Sequence, residues 1–256
     1  VGTSALIDGL VSAGKIDVSA VQGQWESYTA VLVTNPIAGV DRALVIAGSD
    51  DPLLYRLLLK FAHQNGNRAL VSYTPSGTRQ GLELLQAQRV NASVMHWGPD
   101  VESRVRHPAL LSQYTQHHAW VLIHAFRREQ GLMMRRELSD RISNESELLE
   151  DRYRWALRQN GSGAQRYLME TVARRGLVTD DLNQTVTAYS DREAAAALRM
   201  NQADVAPGSR AAATEYDLDF LPLGWISVDL VLAKTVWFRH LFQEIVRGLK
   251  TIETHR

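Results

Sequence analysis

The chain has 256 residues, of which 45% are hydrophobic and 22% charged, a composition typical of globular domains with a substantial buried core. Its 28 basic and 28 acidic side chains balance, so the whole chain offers no field for holding nucleic acid or an anionic membrane surface. Cysteine is absent, which excludes disulfides, thiolate metal sites and cysteine nucleophiles. We expect a cytoplasmic protein without membrane contact, although a periplasmic location is compatible with the sequence.

From Ala43 onward, short apolar runs alternate with helical stretches, the pattern of parallel strands joined by crossover helices. Asp50 or Asp51 is expected to cap the first helix. A short helix is expected around Leu110 to Tyr114. The first half predicts strands at Ala43 to Gly48, Arg68 to Tyr73, Ala92 to Trp97 and Ala119 to Phe126.

The second half repeats this alternation. Ser162 with Gln165, and Ser190 with Glu193, match the capping box, so both serines are predicted to start helices. The final helix carries its apolar face at Trp237, Leu241, Ile245 and Leu249. Strands are predicted at Arg152 to Arg158, Gln184 to Tyr189, Ala203 to Gly208 and Trp225 to Ala233.

Five blocks occur in order along the chain: IAGSDDPLLYRLL (46–58), PSGTRQGLELL (75–85), FRREQGLMM (126–134), LRQNGSGAQRYLMETVARRGL (157–177) and ADVAPGSRAAATEYDLDFLPL (203–223). Together they resemble the periplasmic-binding-protein-like sensor domain that follows a winged-helix DNA-binding domain in bacterial regulators, a family related to molybdate-binding proteins. The resemblance covers roughly residues 43–250. It implies a two-lobed α/β fold of type II with Rossmann-like mixed sheets. We expect one lobe at residues 43–125 plus 226–256 and the other at 126–225.

The N-terminal part of the sequence carries a different resemblance. LIDGLVSAGKIDVSAVQGQWESY and NPIAGVDRALVIAGSD resemble the non-catalytic N-terminal domain of xylan α-glucuronidases, and the two resemblances overlap at Ala43 to Asp50. We therefore predict that residues 1–42 have a different origin and that the chain is a chimera. Nothing resembles the hydrolase barrel or a DNA-binding domain, so we expect no enzyme, no catalytic residues and no nucleic-acid binding through this chain alone.

Ligands of doubly wound sheets bind at the carboxyl ends of strands, where helix N-termini expose backbone N–H groups. Glycine- and serine-containing turns follow four predicted strands, two in each lobe. These turns contain the candidate ligand-binding residues Ser49, Asp50, Ser76, Gly77, Thr78, Ser162, Gly163 and Ser209. The alternative is that each turn is only a helix cap. Asp50 and Asp51 oppose an anion at the first turn and favour a ligand amine instead.

Three further polar residues complete the predicted site. Arg127 and Gln130 follow the strand expected to cross between the lobes, and Arg210 lies two residues after Gly208. A guanidinium group can hold a carboxylate or oxyanion at two points. The alternative is solvated charge at a strand end.

The histidines match no metal-ligand spacing, and we interpret His107, His117 and His118 as part of a surface loop. Metals and cofactors are therefore not expected. The leading hypothesis is a sensor that closes two lobes around a small anion such as molybdate or tungstate. The alternatives are a scaffold that binds no ligand and an accessory domain of a carbohydrate enzyme. A homodimer is compatible with the sequence.

Overall fold

A computed structural model of the chain describes residues 43–65, 70–139, 142, 144–149, 152–174 and 176–253. The predicted segment of different origin, residues 1–42, lies outside the described residues. Residues Arg42–Arg256 form one compact unit.

The strands of this unit form a single mixed sheet. They are β1 (Ala43–Gly48), β2 (Leu70–Pro75), β3 (Ala92–Met95), β4 (Trp120–Met134), β5 (Arg154–Arg158), β6 (Asn183–Ala188), β7 (Val205–Ser209) and β8 (Asp219–Ala233), in the order β2-β1-β3-β8-β4-β7-β5-β6. β1 is parallel to β2 and β3, and β5 is parallel to β6 and β7. β4 and β8 pair antiparallel with each other. On their other edges, β4 pairs antiparallel with β7 and β8 pairs antiparallel with β3. The predicted mixed α/β architecture is confirmed.

The helices are α1 (Pro52–Asn65), α2 (Thr78–Gln86), α3 (Ser103–Leu111), α4 (Arg136–Ser139), α5 (Glu145–Leu148), α6 (Gly163–Ala173), α7 (Asp191–Arg199), α8 (Arg210–Glu215), α9 (Lys234–Trp237) and α10 (His240–Glu253). Ser162 caps α6 and Ser190 caps α7, as predicted, because each hydroxyl accepts a hydrogen bond from a backbone N–H three residues later. Asp51, rather than Asp50, caps α1 by accepting from Leu54 N at 2.8 Å. In the described part of the chain, no helix has both the length and the apolar character that a bilayer crossing requires.

β4 and β8 are much longer than the sequence predicted. We expected β4 to end at Phe126 and β8 to begin at Trp225, but β4 continues to Met134 and β8 begins at Asp219. The prediction was wrong because Arg127, Arg128 and Glu129 look like a solvated loop. In the structure these charged residues pair with β8 and find partners on neighbouring elements.

Two lobes, each with its own apolar core, share these long strands. In the first lobe, around β1–β3, Leu44 and Ile46 pack with Leu54 of α1 and Phe242 of α10. In the second lobe, around β5–β7, Trp155 packs with helix α6 and with the end of β4. The two-lobed arrangement is confirmed, whereas the exact lobe boundaries given above stay predictions.

We expect Gly81→Ala to destabilise the fold by about 1–3 kcal/mol, because overpacking forces backbone or side-chain shifts. A Cβ at Gly81 would lie 2.5 Å from Gly48 Cα and 2.6 Å from Ser93 Oγ, where α2 rests on the end of β1. Gly248→Ala is the matched helical control, since its Cβ would meet only Leu57 Cδ1 at 3.3 Å. Urea unfolding measures both changes, and equal stabilities for the two variants would contradict this account of the contact.

Candidate functional site

The predicted turns of the two lobes converge. Arg79 N–H donates to the Gly161 carbonyl oxygen at 3.1 Å across the lobes. A Cβ added at Gly77 would lie 3.4 Å from Ser162 Cα, and one added at Gly163 would lie 2.3 Å from the His96 carbonyl oxygen. The loops at Ser76 and Ser162 therefore meet at one interface, and Gly163 is required there for close approach.

The hydroxyl groups predicted to bind an anion already make hydrogen bonds within the protein. Each contributes to the shape of its own turn or cap. Ser49 Oγ lies 2.7 Å from Thr78 Oγ1, Thr78 Oγ1 donates to His96 O, Ser76 Oγ accepts from Gly48 N, Ser162 Oγ accepts from Gln165 N, and Ser209 Oγ accepts from Ala212 N. The oxygens of Ser76, Ser162 and Ser209 act as acceptors in these bonds, so each serine keeps an O–H group that can donate, and anion binding by these residues stays a prediction.

A buried cluster of charged groups joins the lobes. Asp50, Asp51, Arg128, Arg158 and Asp191 are each 6% exposed or less. Arg128 Nη1 donates at 2.9 Å to both Asp51 Oδ2 and the Asp50 carbonyl oxygen, and lies 3.5 Å from Asp191 Oδ2. Arg158 Nη1 donates to Asp191 Oδ1, and Asp191 N–H donates to Asp50 Oδ2 at 2.8 Å. We call these five residues the interlobe cluster.

Burial changes the ionisation of this cluster. Desolvation raises the pKa of Asp50, the neighbouring Asp191 carboxylate raises it further, and Arg158 and Arg128 offset only part of the effect. Desolvation likewise raises the pKa of Asp51, although the charge of Arg128 opposes it. Asp50 and Asp51 are therefore less readily charged in the cluster than they are in water.

Polar atoms without hydrogen-bond partners lie beside the interlobe cluster. Within the described residues, Arg128 Nε and Nη2 make no hydrogen bond, and neither do Gln130 Nε2 and Oε1 nor the two ring nitrogens of His96. Desolvation, followed by the charges of Arg128 and Arg158, lowers the pKa of His96 well below its ordinary value, so its ring is neutral. Buried polar groups are normally satisfied, so this concentration at one place points to a ligand site.

A cleft of about 630 Å³ opens next to Arg128. Asp51 and Arg56 border it from the first lobe, Ser209 and Arg210 border it from the second, and Trp225 of β8 lies between them. This volume suits a small ligand.

The remaining predicted residues lie in different places. Arg210 borders the cleft, where it pairs with Glu129 and stacks over Phe220. Gln130 is buried on the same face of β4 as Arg128, two residues away. Arg127 points to the other face, where it pairs with Asp100 at 2.7 Å.

Four residues of this region were not among the predicted site residues: Arg128, Arg158, Asp191 and His96. The adjacent arginines in FRREQG contained a signal for Arg128, because only one of two neighbouring strand residues can face the cleft. Arg158 and Asp191 are far apart in sequence, and no local pattern indicates that they pair.

A second cluster of polar side chains lies around Asp229 of β8. Asp229 accepts from His107 Nδ1 at 2.6 Å and lies 3.0 Å from His124 Nδ1, while Ser227 Oγ donates to it at 2.8 Å. His107, which we predicted in a surface loop, is fully buried, because Asp229 and the Trp97 N–H satisfy its ring. In the described part of the chain, no group of three or more histidine or acidic side chains is arranged to hold a metal ion.

We expect Arg158→Met to lower the free energy of unfolding by about 3–5 kcal/mol, because the buried Asp191 carboxylate loses the nearer of its two guanidinium partners. The control is Arg136→Met, which breaks an exposed pair with Asp217 and costs at most about 1 kcal/mol. Denaturant unfolding measures both. A loss for Arg158→Met no larger than that of the control would show that the interlobe cluster contributes little to stability.

Solved structures share this fold at low sequence identity. The bromide-bound regulatory domain of HypT from Salmonella typhimurium aligns with a TM-score of 0.58 and 13% identity, over 84% of this chain and 97% of that one. The regulatory domain of CcmR from Synechocystis PCC6803, in complex with 2-PG, gives 0.58 and 14%, over 82% and 95%. The effector-binding domain of QuiR with shikimate gives 0.57 and 9%, over 83% and 98%.

The predicted type II periplasmic-binding-protein-like fold is confirmed by these likenesses. No curated protein matches the chain. A family model, the PBP-like model that describes the PBP superfamily domain, matches residues 59–250. The chain therefore belongs to the PBP-like family.

Proposed function

We propose that this chain is the ligand-sensing domain of a regulator and that it holds a small oxyanion or carboxylate between its two lobes. One observation carries the proposal: the Nε and Nη2 edge of the buried Arg128 guanidinium has no partner among the described residues. These two N–H groups form a planar fork that matches two oxygens of a carboxylate or oxyanion. Molybdate and tungstate are the first ligands to test.

Two further unpaired groups, behind the lining of the cleft, support binding near Arg128. Gln130 offers an unpaired amide on the same face of β4, and the neutral His96 ring offers either a donor or an acceptor. Neutral donors stabilise an anion without a buried counter-ion beside every oxygen. In this proposal Ser49, Ser76, Gly77, Thr78, Ser162, Gly163 and Ser209 shape the site, and Asp50 takes part through the interlobe cluster.

The comparisons support binding rather than catalysis. The structural neighbours named above are regulatory or effector-binding domains, and one of them, HypT, holds a bromide ion. Small shifts of two lobes that share two long strands turn ligand binding into a change of shape by hinge motion. As the sensing part of a regulator, the chain is proposed to act in the cytoplasm and to leave nucleic-acid contact to another part of that regulator.

We expect saturating anion to raise the melting temperature, since a ligand at about 100 times its Kd stabilises the native state by about 2.7 kcal/mol. The panel is molybdate, tungstate, sulfate and acetate, measured by thermal shift and isothermal titration calorimetry. Binding by none of them would overturn the oxyanion proposal and would favour a scaffold without ligand function.

Arg128→Lys is expected to weaken binding about 30-fold or more, because lysine keeps the charge but loses the two-point fork. Arg127→Lys is the matched control, since Arg127 pairs with Asp100 on the opposite face of the same strand. Calorimetric titration of both variants with the best-bound anion measures the difference. A loss confined to Arg127→Lys would assign recognition to Arg127 and contradict the role given to Arg128.

A further inference from the structure

The interlobe cluster carries an excess of negative charge. It contains the carboxyl groups of Asp50, Asp51 and Asp191 but only the guanidinium groups of Arg128 and Arg158. With every group ionised, three negative and two positive charges leave one negative charge in a region that is almost fully shielded from water. An arriving anion adds to that excess at the Nε and Nη2 edge of Arg128.

The three carboxyl groups differ in the number of hydrogen bonds that stabilise their charged form. Both oxygens of Asp51 accept hydrogen bonds, from Leu54 N and Arg128 Nη1. Both oxygens of Asp191 also accept, from Arg158 Nη1 and from Ser209 N at 3.2 Å.

Among the described residues, the Asp50 carboxyl group has a single hydrogen-bond donor, the Asp191 N–H on its Oδ2. Hydrogen bonds to the charged form keep a carboxyl group ionised. Asp50 is therefore the member of the cluster that most readily takes a proton.

The groups that surround Asp50 come from four elements and two loops, and they leave this conclusion unchanged. Asp51 precedes α1, and Tyr73 of β2 donates to the neighbouring Ser49 carbonyl oxygen. Arg128, Arg158 and Asp191 come from β4, β5 and α7, and the charge of Arg192 in α7 is felt at Asp50 as well. His96, which follows β3, is neutral, because burial and then the charges of Arg128 and Arg158 lower its pKa. The raised pKa of Asp50 agrees with the hydrogen-bond pattern.

We infer that the cleft takes up its anion together with one proton from the solvent, and that the Asp50 carboxyl group holds this proton. The inference rests on the proposed function, because it concerns the same site. A protonated Asp50 removes the excess negative charge of the cluster, so Arg128 can direct its free edge to the ligand. It also keeps its Oδ2 contact with the Asp191 N–H, and the hydrogen bond between the lobes is preserved.

The sign of the pH dependence follows from linkage. The complex binds one proton more than the free protein, so affinity falls as pH rises. Between the pKa of Asp50 in the free protein and its higher pKa in the complex, we expect the Kd to increase about tenfold for each pH unit, and above the pKa in the complex the dependence disappears. Below the pKa of Asp50 in the free protein, Asp50 already carries its proton and the dependence disappears.

Isothermal titration calorimetry of the full chain tests this directly, with molybdate and acetate as probes. Titrations in two buffers of different ionisation enthalpy, from about pH 6 to about pH 8, count the protons taken up with each anion. We expect about one proton per acetate ion at the upper end of this range. Acetate binding with no proton uptake at any pH would overturn the inference and leave the proposed function intact. Failure of molybdate, tungstate, sulfate and acetate alike to bind would overturn the proposed function and this inference together.

The Asp50→Asn variant tests whether the Asp50 carboxyl group holds the proton that is taken up with the anion. Asparagine mimics the protonated carboxyl group and can still accept from the Asp191 N–H, so the variant should bind acetate more tightly than the parent at about pH 8 and show no proton uptake. Asp217→Asn, which removes an exposed carboxylate paired with Arg136, is the control and should keep the parent's pH dependence. An undiminished proton uptake in Asp50→Asn would place the proton on another group, His96 first, and overturn the assignment to Asp50.

Discussion

The burial of charge between the lobes is the constraint on which this molecule depends. Five ionisable side chains of the interlobe cluster are almost fully removed from water, and each needs a partner on another element to remain there. Arg128 reaches from the crossing strand β4 to Asp51 on the first lobe and to Asp191 on the second. The relative position of the lobes is therefore fixed by hydrogen-bond geometry at the cluster as well as by apolar contact.

This constraint also limits the amides that the predicted turns offer to an anion, whereas ligand binding by their serine hydroxyls stays a prediction. Carboxylates of the protein occupy helix N-terminal amides that an anion would otherwise use, as Asp51 does at Leu54 N and Asp191 at Ser209 N. The hydroxyl of Ser209 caps the same helix end that Asp191 contacts, and the hydroxyl of Ser162 caps α6. Beside the interlobe cluster, the buried groups that have no partner among the described residues are the Nε and Nη2 edge of Arg128, the Gln130 amide and the His96 ring.

Much of the fold follows from short stretches of sequence. The caps at Ser162 and Ser190 and the apolar strand at Ala43 to Gly48 are local patterns, and the structure contains them where they were predicted. The length of β4 could not be predicted in this way, because its charged stretch is stabilised by residues distant in sequence. The choice between Arg127 and Arg128 depends on which face of β4 meets the cleft. The shift in register between His124 and Phe126 sets that face, and no local pattern reveals such a shift.

In this proposal, ligand recognition and lobe closure both depend on the Arg128 side chain. Arg128 Nη1 binds the two lobes to each other while its Nε and Nη2 atoms remain free, so one guanidinium group serves both the lobe contact and the proposed ligand. A ligand that drew Arg128 away from Asp51 would leave a buried carboxylate unpaired, at a cost of several kcal/mol. An anion bound at the opposite edge of the group avoids that cost and holds the side chain in the position that the lobe contact requires. Ligand binding and lobe closure are then favoured by the same orientation of one side chain, which is what a sensor of this architecture needs.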